Sequence, residues 1–207
     1  MNRMRMAGLA GLLTVLVAAC SSNTGASATP TPTPKPTATP AASAAASGGI
    51  PFPSIGNSDT ALESLLPDAV DGITLQKYSM KGNEFMGSAQ ADPQTQAFLN
   101  ALGVSPSDIS VAFGFGVDIA NQSALGVFAF KAPGAGADRL LTVFKTAAAQ
   151  GDTTYDWQSA TVSGKSVQQA SEPSDPTTQI YLYPTNDVLF LVTGNAGPAA
   201  DALSALP

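Results

Sequence analysis

The chain lacks histidine altogether and has one cysteine, Cys20, among its 207 residues. Without histidine, Ser-His-Asp and Cys-His catalytic sites and imidazole-ligated metal sites are excluded. A single cysteine cannot form an internal disulfide, so an exported domain has to be stabilised by packing alone. No serine lies in a G-x-S-x-G or S-x-x-K motif. The sequence therefore predicts no catalytic residue and no cofactor, and it does not favour an enzyme.

Basic residues are also scarce. From Ile55 onward the chain contains all 15 of its acidic residues and only six basic ones, which leaves a net charge of −9. An acidic surface repels phosphate backbones and anionic headgroups, and this argues against a nucleic-acid partner. Solubility is sufficient to explain the acidity itself.

The chain has no apolar run long enough to span a membrane. The longest, residues 7–19, has 13 residues, whereas a spanning helix needs about 20. Arg3 and Arg5 precede this run, and small residues followed by Cys20 end it. A basic start, a short apolar stretch and a small-residue end are typical of a signal peptide, here residues 1–19.

The end of this stretch, Val17-Ala18-Ala19-Cys20, resembles the lipobox of bacterial lipoprotein precursors. The resemblance implies that the Cys20 sulfur receives a diacylglyceryl group and that the chain is cleaved before Cys20. Two acyl chains hold firmly, because each buried CH₂ contributes about 0.8 kcal/mol. The implied location is the bacterial cell membrane, with the protein lipid-anchored on its extracytoplasmic side. The alternative is an ordinary secretory signal with an incidental cysteine; neither implies an activity.

Residues 20–54 are rich in Thr, Pro, Ala and Ser, with the run TPTPTPKPTATP at residues 29–40. A residue before proline is disfavoured in the α region, so this stretch should adopt extended polyproline II conformations without a core of its own. We predict a disordered linker at 20–54 and a single globular domain at 55–207. Extended, about 30 such residues reach on the order of 90 Å.

The folded part is predicted to be α+β, with a largely antiparallel sheet of about six to seven strands and three to four helices packed mainly on one face. Short hairpin-like connections favour the antiparallel arrangement. The run VLFLV at 188–192 is apolar on both faces and should be the central strand. Predicted helices cover 60–66, 93–102, 137–150 and 199–206, and predicted strands cover 72–85, 109–117, 124–131, 155–162, 165–170, 178–183 and 188–193.

Two sets of residues are candidates for a ligand site. In strand 109–117, Phe113 lies among large apolar residues on one face, while Gly114 and Gly116 lie on a face of small residues. A face of small residues is either packed closely by another segment or left open to a ligand. Tyr155 and Trp157 are predicted to share a strand face with polar residues, either as a ligand platform or half-buried at a sheet edge.

Four acidic residues crowd the start of the folded part: Asp59, Glu63, Asp68 and Asp71. A calcium site can be considered there, but the EF-hand pattern D-x-[DN]-x-[DN]-G is missing. An acidic residue in the first turn of a helix is explained by the helix dipole. We therefore predict no metal site.

Two functions remain open. The first is a non-catalytic binding or interaction module that takes a protein, a wall component or a lipid-like ligand on an open apolar patch. The second is a cell-envelope hydrolase that uses two carboxylates about 5 to 9 Å apart, at least one with a raised pKa. Its candidate carboxylates are those of Glu84, Asp92, Asp118 and Asp187.

Overall fold

The computed structural model describes residues 59–151 and 153–207, so the predicted signal peptide, Cys20 and the linker lie outside the described residues. The described part contains five α-helices, one 3₁₀ helix and nine strands. The helices are α1 (Thr60–Glu63), α2 (Gly82–Met86), the 3₁₀ helix (Gly87–Ala91), α3 (Pro93–Leu102), α4 (Ala137–Ala148) and α5 (Ala196–Ala205). The strands are β1 (Ala69–Val70), β2 (Ile73–Thr74), β3 (Gln76–Lys81), β4 (Ser110–Asp118), β5 (Ser123–Lys131), β6 (Gln158–Val162), β7 (Lys165–Glu172), β8 (Asp175–Thr185) and β9 (Val188–Asn195).

Seven of the strands form one sheet in the order β3-β4-β5-β9-β8-β7-β6. Every neighbouring pair in it is antiparallel. The α+β class and the antiparallel sheet predicted from the sequence are therefore confirmed. Strand β9 is the fourth of the seven, as its two apolar faces require, because only a central strand is covered on both sides.

The helices cover both faces of the sheet instead of lying mainly on one. On the first face, α1, the β1–β2 hairpin and α5 enclose a core that includes Leu62, Phe190 and Leu203. On the second face, α3 and α4 enclose a core that includes Leu99 and Leu140. Both faces need cover because β5 and β9 present large apolar side chains on each side.

The predicted strand 72–85 is divided into β2, β3 and α2. The N–H of Leu75 donates to the carbonyl of Asp68 at 2.9 Å, and the N–H of Gly82 donates to the carbonyl of Ile109 at 2.8 Å. The first bond continues the pairing of β1 with β2, and the second continues the register of β3 on β4 by one residue, to the start of α2. The register of β3 on β4 is regular from Gln76 to Lys81.

The helix ends are set by local hydrogen bonds. Asp92 accepts from the N–H of Gln94 and of Thr95 and so caps α3, which ends at Gly103 with φ of 72°. These signals confirm the predicted helix 93–102. At α1 the capping residue is Asp59, whose carboxylate accepts from the N–H of Leu62. The N-cap is therefore the residue immediately before the predicted start of this helix at residue 60.

Candidate functional site

Gly114 and Gly116 lie on the first face of the sheet and are packed by the protein's own chain. A Cβ atom added at Gly116 would lie 2.5 Å from the carbonyl oxygen of Thr74 and 2.6 Å from Cγ2 of Ile73. At Gly114 the nearest atoms, on Leu75 and Lys77, would be 3.5 Å away. The small-residue face is thus used for close approach of the segment 73–75 and is not open to a ligand.

Phe113 projects from the same strand onto the second face. The register places it opposite Tyr78 on β3 and opposite Phe128 on β5. Its ring centroid lies 5.6 Å from that of Tyr78 and 6.0 Å from that of Phe128. Phe115, two residues further along β4, shares this face, and all four rings are half-buried. Three neighbouring strands therefore present a row of aromatic rings that remains partly open to solvent.

The tip of the β4–β5 hairpin, beyond the end of this row, carries two exposed apolar side chains. Val117 is 53% exposed and Ile119 is 86% exposed. Asp118 fixes the turn between the strands, because its Oδ1 accepts from the N–H of Ala120 at 2.9 Å and its Oδ2 accepts from the side chain of Asn121 at 2.6 Å. The hairpin tip is therefore ordered by its own hydrogen bonds. We call Tyr78, Phe113, Phe115, Val117, Ile119 and Phe128 the aromatic patch.

Tyr155 and Trp157 lie just before β6, and the structure does not bring them to Phe113. Their ring centroids are 5.5 Å apart, but strands β5, β9, β8 and β7 separate β4 from β6. Trp157 packs against the core of the second face. The hydroxyl of Tyr155 donates to Glu172 at 3.2 Å, and burial together with this carboxylate raises the pKa of Tyr155 to about 12. Both residues are half-buried, the arrangement of a packed sheet edge.

The carboxylates considered for hydrolysis have local structural roles. Asp92 caps α3, and Asp118 orders the β4–β5 turn. Hydrogen bonds from the side chain and backbone of Asn121 lower the pKa of Asp118 below its ordinary value of 3.8, the opposite of what a general acid needs. Asp187 lies in the β8–β9 turn, and Glu84 is in the first turn of α2.

The acidic cluster at the start of the domain also has internal partners. Glu63 accepts from the Ser79 hydroxyl at 3.1 Å, and Asp68 forms an ion pair with Lys77 at 2.5 Å. Within residues 59–151 and 153–207, no three or more Cys, Asp or Glu side chains are grouped so that they could hold a metal ion.

A serine–lysine pair that the sequence analysis did not identify lies beside this cluster. The Lys81 ammonium donates to the Ser110 hydroxyl at 3.0 Å and lies 3.9 Å from the Asp59 carboxylate. A nucleophilic serine has to be reached by its substrate, and Ser110 is only 2% exposed. The pair is therefore suited to holding the chain, not to nucleophilic catalysis.

Asp59 lies at the centre of the hydrogen bonds and charges around Lys81 and Ser110. Burial alone would raise its pKa, but hydrogen bonds from Leu62 and Ser110, with the lysine charges nearby, lower the pKa of Asp59 below the ordinary 3.8. Its N–H donates to the buried Ser79 hydroxyl at 3.1 Å. The first described residue is thus fastened to the first face of the sheet, at the end of β3 and β4 where Lys81 and Ser110 pair.

Most of the aromatic patch could not be located from the sequence. Alternation places Phe113, Phe115 and Val117 on one face of β4, but it does not say which parts of that face the helices leave uncovered. Tyr78 and Phe128 join the patch only through the pairing of β3 and β5 with β4. Nothing in the sequence around Ile119, apart from its place in a turn, predicts that this side chain is exposed.

Comparison with known proteins found no family model, no curated protein and no solved structure that matches this chain. Among the described residues, none of the helices is both long and apolar enough to cross a membrane.

Proposed function

We propose that this chain is a lipid-anchored, extracytoplasmic binding protein of a bacterial cell membrane, and that its domain takes a partner on the aromatic patch. The observation that carries the proposal is the combination of ring contacts across β3, β4 and β5 with two exposed apolar side chains at one hairpin tip. Large contiguous apolar patches are uncommon on monomeric proteins and mark interaction sites. Scattered single apolar residues would not support the same conclusion.

The position of the patch suits a tethered domain. Asp59 enters at the end of β4 that contains Ser110, whereas Val117 and Ile119 lie at the opposite end. The nine residues of β4 separate these ends by about 30 Å. The exposed tip of the patch therefore lies at the end of β4 opposite the end at which Asp59 is held.

The anchor is tested by replacing Cys20 with serine. In cells labelled with radioactive palmitate, we expect the wild-type chain to carry label and the Cys20→Ser chain to carry none, because only the thiol accepts the diacylglyceryl group. Ser21→Ala, one residue away, should keep the label and serves as the matched control. Label retained by Cys20→Ser, or a wild-type N-terminus found elsewhere than at Cys20, would contradict the anchor.

The binding role is tested in intact cells with a photo-crosslinking amino acid. We expect benzoylphenylalanine at Ile119 to yield a discrete crosslinked adduct, since this side chain is 86% exposed at the patch. The same group at Ser204, exposed on α5 across the sheet, is the control and should give no such adduct. The same adducts at both positions, or none at Ile119, would rule out the patch as the docking surface.

A further inference from the structure

We infer that the aromatic patch receives a cationic amphipathic segment of another protein, one that places Lys or Arg side chains beside apolar ones. This inference rests on the proposed function of the patch and names the chemistry of its partner. It is carried by the distribution of charge around the patch and by the ring faces that the patch presents.

The three basic residues of β3, β4 and β5 all lie on the face opposite the patch. Side chains alternate between the two faces of a strand, so Lys77 and Lys81 lie on the face opposite Tyr78. Lys131 lies an even number of residues from Val127 and therefore shares the first face with it. Each of the first two also has an acidic partner, Asp68 for Lys77 and Asp59 for Lys81. The second face of these strands therefore carries no positive charge, in a folded part whose net charge is −9. A domain of this net charge attracts positive partners from a distance, and the strands that form the patch add no positive charge to oppose them.

The exposed rings add a short-range attraction for the same groups. A Lys ammonium or Arg guanidinium over an aromatic face gains about 0.5–1 kcal/mol at exposed sites. The domain already makes such a contact internally, because the Lys165 ammonium lies 5.0 Å from the centroid of the Tyr183 ring. Phe113, Phe115 and Phe128 offer several ring faces to a partner's cations, and Val117 and Ile119 offer contact to its apolar side chains.

Charge also distinguishes this partner from two other occupants. A second copy would bring together two domains that each have a net charge of −9, and their mutual repulsion opposes a dimer through the patch. Anionic lipid headgroups are repelled for the same reason. A basic, amphipathic segment can contact the apolar side chains of the patch and is also attracted by the negative charge of the domain.

The test measures the affinity of a labelled Leu/Lys peptide of about 18 residues, long enough for an amphipathic helix, for the full mature chain carrying Cys20→Ser. We expect the Leu/Lys peptide to bind at least about 10-fold more tightly than the matching Leu/Glu peptide. Its affinity should fall several-fold between about 50 mM and about 500 mM NaCl, because salt screens exposed charges. Equal binding of the two peptides, or binding insensitive to salt, would overturn the inference.

Variants at the tip locate the binding to the patch. Ile119→Ser should weaken Leu/Lys binding by about 10-fold, the effect of losing one buried apolar side chain. Ile119→Lys should weaken it further than Ile119→Glu, since only the lysine repels the peptide. Ser204→Lys makes the same gain of positive charge on the other face and should change the affinity less than about 2-fold. Ile119 is 86% exposed, so unchanged unfolding midpoints will confirm that these variants fold.

The outcomes separate this inference from the proposed function. If benzoylphenylalanine at Ile119 captures a partner in cells while the Leu/Lys peptide shows no preference, the patch is a docking surface and the cationic class is wrong. Sedimentation of the purified chain would then show a patch-dependent dimer, or neutral phosphatidylcholine vesicles would bind it. If neither the adduct nor peptide binding is found, both proposals fail.

Discussion

Replacing Gly116 with alanine is expected to lower the free energy of unfolding by about 2–3 kcal/mol, a typical cost of overpacking a tight contact. The added Cβ would lie 2.5 Å from the Thr74 carbonyl oxygen and 2.6 Å from Ile73 Cγ2. The first of these atoms belongs to the backbone of β2, which is held by its pairing with β1. It cannot move aside as the end of a flexible side chain would.

Gly114 provides the matched control for this substitution. It lies on the same strand and the same face, but an added Cβ would meet its nearest atoms at 3.5 Å, an ordinary contact. Gly114→Ala should therefore be neutral, or stabilising by up to about 1 kcal/mol, since alanine loses less entropy on folding than glycine. Urea denaturation followed through Trp157, the only tryptophan, measures both variants. Equal losses at the two positions would show that close approach at Gly116 is not the cause.

The face of β4 that contains Gly114 and Gly116 shows which structural features the sequence could predict and which it could not. Alternation along β4 was sufficient to predict that something approaches this face closely or that it is open to a ligand. It could not choose between the two, because the segment that closes the face, residues 73–75, lies about 40 residues earlier in the chain and reads as part of a longer strand. The structure shows that β2 pairs with β1 in a separate two-stranded sheet, and the bond from Leu75 to Asp68 continues that pairing.

Two features that depend on neighbouring residues in the sequence were predicted correctly. The start and end of helix α3 are set by residues next to it in the sequence, a capping aspartate and a proline at its start and a glycine after its end, and the predicted range 93–102 is confirmed. Strand β9 shows its central position through apolar residues on both faces. The distribution of helices between the two faces depends on which long-range partners meet, and no short pattern contains that information. The aromatic patch could not be predicted for the same reason, because it lies where α3 and α4 leave β4 uncovered.

The second large effect is expected for Phe190→Ala in the central strand. Phe190 is 0% exposed and stacks on Tyr183 with ring centroids 6.0 Å apart. Removing a fully buried ring leaves a cavity, and the free energy of unfolding should fall by about 3–5 kcal/mol. For a domain stabilised by about 5–15 kcal/mol, this is a large part of the total, and it should appear as a clearly lower urea midpoint.

Phe115→Ala makes the same chemical change within the aromatic patch. Comparing its effect on the free energy of unfolding with that of Phe190→Ala tests whether the patch is part of the core. Phe115 is half-buried on the partly open part of the second face, so its loss should cost about 1–2 kcal/mol, less than the loss of a fully buried ring, because solvent already reaches part of it. A surface kept for a partner is dispensable for folding, whereas a core is not. If Phe115→Ala were as destabilising as Phe190→Ala, the rings of β4 would be part of the core, and the physical basis for docking a partner there would be lost.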